Sequence, residues 1–180
     1  MSKKLFVISG PSGAGIGDVM AALFARRQDL GTVVPVTARK KKAGEVDGVG
    51  FYFYDLEGWS ALKESGDLLE CTEFAGNDYG TSRKLVEEQL AAGKHVLLSR
   101  ELARAEQIKR SMPEAVCVYM APSPAVLRER YGKIARSQRE LAVRLEAAEE
   151  EERRSAFCDC RINSDDVAAA AAEMEALLDR

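Results

Sequence analysis

The apolar run Leu5-Phe6-Val7-Ile8 leads straight into Ser9-Gly10-Pro11-Ser12-Gly13-Ala14-Gly15, and a helical pattern starts directly afterwards. No other stretch constrains the fold as strongly. Consecutive apolar residues predict a strand buried on both faces, over Lys4 to Ser9. Val19, Met20, Leu23 and Phe24 predict one face of a helix from about Asp18 to Arg27. The glycines between them make a nest of backbone N–H groups at a helix N-terminus, a site that attracts anions without any side chain. Gly10 and Gly15 satisfy the phosphate-loop pattern G-x-x-x-x-G-K-[ST], with Ser12 and Gly13 inside it. The pattern then fails. Ile16 stands where the lysine belongs, Gly17 where the hydroxyl belongs, and Asp18 adds a negative charge. The usual lysine reaches the terminal phosphates and the hydroxyl binds magnesium. Isoleucine forfeits a charge-assisted hydrogen bond on the order of 1.5–3 kcal/mol. Asp18 suits a cap or the first turn of a helix, and as a side effect it repels a triphosphate.

The chain has 180 residues, enough for one domain with a sizeable core. Its net charge of −3 argues against nucleic-acid binding by the chain as a whole. No apolar run reaches 18 residues, so no membrane partner is expected. The start, Met1 to Ile8, is too short to be a signal-peptide core, and a cytoplasmic location is expected. Cys71, Cys117, Cys158 and Cys160 are scattered, and His95 is the one histidine. Reduced, mostly buried thiols are expected, with no metal site, and His95 is expected at a strand end.

Residues 37–92 differ in character. Arg39-Lys40-Lys41-Lys42, several glycines and Phe51-Tyr52-Phe53-Tyr54 predict short strands, with helices at Trp59 to Ser65 and Ser82 to Ala91. Before this stretch a strand is predicted at Thr32 to Val36. After it the pattern predicts strands at His95 to Ser99, Val116 to Ala121 and Cys160 to Ile162. Helices are predicted at Glu101 to Ser111, Pro124 to Tyr131, Gln138 to Ala156 and Asp166 to Leu178. Glu149 to Glu152 with Arg153-Arg154 reads as a solvated helix face with i,i+4 pairing. Alternating strands and helices predict an α/β fold, a parallel sheet with helices on both faces, with ligands at the carboxyl ends of the strands.

Five motifs resemble guanylate kinases in order and spacing. These are Ser9 to Gly13; Thr37-Ala38-Arg39 with Gly44 to Phe53; Leu69-Glu70-Cys71; Asn77 to Thr81; and Asn163 to Asp166. The resemblance implies a phosphate-loop NTPase-type core, 1–36 and 93–180, with a small mixed α+β GMP-binding insertion at 37–92 and a lid at about 132–142. It implies transfer of the terminal phosphate of ATP to GMP. By position, Arg39, Lys42 and Tyr79 match residues at the GMP phosphate, and Phe51 replaces a tyrosine there. Glu70 and Thr81 match readers of guanine, because a carboxylate accepts from N1–H and the 2-amino group. Glu101 matches an aspartate near guanine and magnesium, and Asn163 falls on the adenine side. Arg144 matches an arginine at the ATP phosphates. Departures from the family pattern are Pro35 for a serine, Ser99 for a carboxylate, and Gly132 to Arg136 for the lid's Arg-Gly-Thr.

The expectation is a protein that binds GMP or a related guanine nucleotide, with weak or absent kinase activity. Arg39, Arg144 and Arg100 are the candidate catalytic cations, Arg100 as a replacement. No metal ligand is expected among the side chains, and Mg2+ would enter with ATP only in an active enzyme. Weak ATP binding and a monomer or homodimer are expected. The alternatives are an active nucleotide kinase with a donor site rebuilt on Arg100, Arg144 or a lid cation, and a phosphoprotein- or nucleotide-binding module.

Overall fold

The computed structural model describes residues 3–180. In chain order its elements are β1 (Leu5–Ser9), α1 (Ile16–Arg26), β2 (Leu30–Gly31), β3 (Val36–Thr37), β4 (Tyr52–Phe53), α2 (Leu56–Glu64), β5 (Leu68–Phe74) and β6 (Asn77–Ser82). They continue as α3 (Arg83–Ala91), β7 (His95–Ser99), α4 (Leu102–Ser111), β8 (Val116–Met120), α5 (Pro124–Gly132), α6 (Gln138–Arg154), β9 (Cys160–Ile162) and α7 (Val167–Leu178).

β1 lies at the centre of a five-stranded sheet in the order β2-β7-β1-β8-β9, all of its pairs parallel. Every residue of β1 is buried, as a strand covered by helices on both sides demands. One core layer joins Phe6, Ile8, Leu97 and Met120 to Val19 and Leu23 of α1 and to Met174 of α7. The other joins Leu5, Val7, Val96 and Leu98 to Ile108 of α4 and Val86 of α3. Phe24, expected on the apolar face of α1, is 37% exposed.

A second sheet, in the order β4-β3-β6-β5, is built from residues 36–82. The strand expected over Thr32 to Val36 is instead two separate pairs of residues, Leu30–Gly31 in the main sheet and Val36–Thr37 in the second. Here the chain leaves one sheet for the other, and Thr32 to Pro35 form the crossing between them. α4 packs against β5, and Gln107 accepts from the Cys71 backbone N–H at 3.1 Å, which ties the second sheet to the core.

Ser82, Ser123, Ser137 and Asp166 each accept from a backbone N–H three residues on, capping α3, α5, α6 and α7. His95 is buried at the start of β7, with Nδ1 accepting from the Lys4 N–H at 3.2 Å, and burial lowers its pKa. Cys117 is buried 2.9 Å from the Cys158 sulfur, whereas Cys71 is exposed, against the expectation of mostly buried thiols.

Candidate functional site: the glycine loop and the cleft beside it

The loop leaves β1 at Gly10, where a Cβ would stand 2.7 Å from the Met120 carbonyl oxygen, so only glycine lets β8 pass this close. It ends at Gly15, which N-caps α1 with φ 78°, a left-handed conformation that glycine adopts at little cost. α1 starts at Ile16, two residues earlier than the apolar pattern suggests, because the loop supplies its own turn. Asp18 therefore sits inside the first turn as an exposed acid and does not cap the helix. Ile16 is half-buried and packs against the core layer under α1. Around Gly17, a Cβ would meet no atom within 4 Å.

α5 holds the loop from the side. Arg130 donates to the carbonyl of Gly13 at 2.7 Å and to those of Ser164 and Asp165 at 3.1 and 2.9 Å. The Tyr131 hydroxyl donates to the Ser12 carbonyl at 2.6 Å. Asn163 is exposed on the same side and accepts from the Asp165 N–H at 3.0 Å. Arg130 escapes a reading by spacing, because its role depends on where α5 lies.

Above the loop is a cavity of about 820 Å3, closed by the segment after β7 and by α6. Its charged lining is mostly acidic: Asp18, Glu101, Glu150 and Glu151, against Arg100 and Arg154. Glu151 is half-buried, its Oε1 has no hydrogen-bond partner among the described residues, and burial followed by the Glu101 charge raises its pKa. This corrects the view of Glu149 to Glu152 as a solvated face. Arg153 reaches Glu150 at i,i+3 and Arg161 reaches Glu152, while Glu151 turns toward the loop. Arg144 is bound to Glu140 at 2.8 Å and borders a smaller cavity shared with Pro11, Ser12 and Glu151. At the end of α5 and in the loop before α6, Lys133 pairs with Glu129, and Lys133 and Arg136 are both exposed. At the two motif positions Gly17 offers no side-chain oxygen and Ile16 no cation, and the charged lining of the cavity is mostly carboxylate.

The second sheet presents a different chemistry. Arg39 lies within 5.5 Å of the centres of the Phe51 and Phe53 rings, and Phe51 lies 5.6 Å from Tyr79. Glu45 grips the Arg39 guanidinium at 2.7 and 3.0 Å and accepts from the Lys42 N–H at 2.6 Å. The Arg39 guanidinium, then the Lys42 N–H, draw the Glu45 carboxyl down to about 2. Arg39, Phe51 and Tyr79 therefore come together, and Lys42 stays exposed on the same turn.

Glu70 and Thr81 are paired across β5 and β6, so their side chains share a face. The Thr81 hydroxyl donates to Glu70 at 2.6 Å. Arg104 donates to both carboxylate oxygens, at 2.6 and 2.7 Å, and Arg100 Nε donates to Oε1 at 3.3 Å. The Glu70 side chain has no exposed surface. Arg100 also donates to Thr81 at 2.9 Å and to the Ser99 carbonyl at 2.8 Å, between the two cavities that it lines. Glu101 is exposed at the head of α4 and lines this pocket as well as the loop cavity. Arg104 was missed from the sequence: it sits in the first turn of α4 while Arg100 precedes the N-cap Glu101, so no helical spacing links them and the packing against β5 brings both to Glu70.

The guanylate kinase family model matches residues 2–180. A guanylate kinase of Synechococcus sp. (strain CC9311) is 40% identical over 172 residues, 94% of this chain and 90% of that one. The chain belongs to the guanylate kinase family. Another guanylate kinase, from Thermobifida fusca, is 42% identical over 148 residues, 81% of this chain and 76% of that one. The crystal structure of guanylate kinase from Anaplasma phagocytophilum superposes with a TM-score of 0.67 at 25% identity, covering 99% of this chain and 85% of that one. As a guanylate kinase-family chain it carries the expected α/β fold with a parallel central sheet, and no described helix is long and apolar enough to cross a membrane.

Proposed function

We propose that this guanylate kinase-family protein holds a guanine nucleotide, GMP first, against its second sheet and transfers phosphate to it weakly or not at all. One observation carries the reading. Ile16 is a packing residue at the head of α1, beneath a cavity whose charged wall is mostly carboxylate. A triphosphate there meets backbone N–H groups and no loop ammonium, with Asp18 and Glu151 opposing it. On the acceptor side Arg39 and Tyr79 stand beside the aromatic wall of Phe51, and in this reading the GMP phosphate takes the Arg39 guanidinium from Glu45. In this reading residues 37–92 hold the acceptor and residues 132–142 form the lid.

Gly17 makes the test clean, since open space surrounds it and a hydroxyl side chain fits. In a coupled assay with ATP, Mg2+ and GMP, the wild type should turn over far below an ordinary kinase rate, on the order of 10 per second. Ile16→Lys with Gly17→Thr should raise that rate by about 10–100-fold, the worth of a charge-assisted hydrogen bond. Ordinary turnover by the wild type, left flat or lowered by the double substitution, would establish the other reading. In that reading the donor site is rebuilt, and Arg130 at the Gly13 carbonyl is the cation that favours it. Arg130 places three of its N–H groups on carbonyls and so braces the loop, and the mostly carboxylate wall of the cavity is why the first reading is preferred.

A further inference from the structure

Glu70 and Thr81 stand where the family resemblance puts readers of guanine, yet each is consumed by its neighbours. Reading the Watson–Crick edge needs free carboxylate lone pairs for N1–H and the 2-amino group. Here Oε1 accepts from Thr81, Arg100 and Arg104, and Oε2 accepts from Arg104. The carboxylate does not reach the adjoining cavity of about 460 Å3, whereas Arg100 and Arg104 both line it, with Phe51, Tyr79 and Pro35. Exposed Glu73 and Glu101 complete its charged rim.

Two guanidiniums share one buried carboxylate, so positive charge remains unpaired. The strain shows in Arg100, whose pKa falls through burial and then the Arg104 charge, against the pull of Glu70. Arg104 spends Nε–H and one Nη2–H on Glu70, and its Nη1 hydrogens have no partner among the described residues. Those donors belong to a side chain only 20% exposed, on the cavity wall. Pro35, on the same wall, has no side-chain group with which to donate or accept.

We propose that this pocket has inverted polarity: it reads its nucleotide by donating from Arg104 and Arg100 to acceptors on the base, and not by accepting through Glu70. Guanine satisfies such a pocket with O6 and N7, two adjacent acceptors that match a guanidinium bidentately. The base then turns its N1–H and 2-amino edge away from Glu70. Xanthine and hypoxanthine carry the same two acceptors, and adenine replaces O6 with a donor. The inference rests on the proposed binding of a guanine nucleotide and adds how the base is selected.

Isothermal titration of the whole chain with a series of monophosphates tests it. IMP should bind within about threefold of GMP, because the 2-amino group is unread, and XMP should bind at least as well as IMP. AMP and 7-deaza-GMP should each bind about tenfold or more weakly than GMP, since each loses an acceptor facing a charged donor. The opposite pattern, with IMP tenfold weaker and 7-deaza-GMP unchanged, means that Glu70 reads the base. That result overturns this inference and leaves GMP binding standing. Absence of binding by every nucleotide overturns both.

Arg104→Ala supplies a second readout, checked for folding by thermal denaturation. It uncovers Glu70, so the ratio of IMP to GMP dissociation constants should rise to about tenfold while the 7-deaza penalty shrinks. A folded variant with the wild-type pattern would overturn the role of Arg104. If the variant fails to fold, the wild-type series alone decides.

Discussion

Ile16, Glu70 and Glu151 show how far one residue's chemistry depends on its neighbours. The lysine missing from the loop is plain in the sequence, because a motif position either carries an ammonium or does not. What Ile16 does instead is a matter of packing, and only the fold shows it against the core layer. Glu151 is the converse case: an acid within a charged run, turned by the pitch of α6 toward the loop. Its Oε1 lacks a partner among the described residues and its pKa is raised by burial, so its ionised form destabilises the folded state. That cost is fully present above the raised pKa and disappears as pH falls toward the ordinary carboxylate value near 4.5. Glu151→Gln should therefore raise the melting temperature by about 1–3 °C at pH 7.5, with the gain fading toward pH 4.5. Thermal denaturation across that range checks it, and a gain independent of pH would mean the charge is not the cause.

At the scale of elements, strong apolar runs and polar caps located β1, β7, β8 and most helices closely. The failure at Thr32 to Val36 has a simple cause. β-branched residues such as Thr32, Val33, Val34 and Val36 favour an extended chain, but they do not say which sheet receives it. The β5–β6 ladder decides where Glu70 and Thr81 stand, and it relies on Gly80. A Cβ there would lie 2.8 Å from the Glu70 carbonyl oxygen and 3.3 Å from the Trp59 ring. Backbone cannot yield as a flexible side chain does, so Gly80→Ala should cost about 1–3 kcal/mol and lower the melting temperature by about 2–10 °C. A change below about 1 °C would mean that the ladder shifts without strain.

For the whole molecule, a guanylate kinase-family scaffold joins a carboxylate-rich cavity above the glycine loop to a guanidinium-lined pocket beside the second sheet. Ligand linkage exposes that asymmetry. GMP should raise the melting temperature with concentration, approaching the equivalent of about 2.7 kcal/mol at a hundred times its dissociation constant. Mg2+-ATP at equal millimolar concentration should leave the melting temperature unchanged, and a larger shift with ATP than with GMP would contradict the proposed donor defect. By itself the sequence determined the strand–loop–helix start, the family motifs and the absence of lysine and hydroxyl at positions 16 and 17. These are local facts, written in consecutive residues or fixed spacings. The tertiary structure alone decided that Arg100 and Arg104 close over Glu70, that Arg130 braces the loop, and that α6 turns Glu151 toward it. Each of these joins residues 30 or more positions apart, and their meeting depends on how sheets and helices pack, which no local pattern encodes.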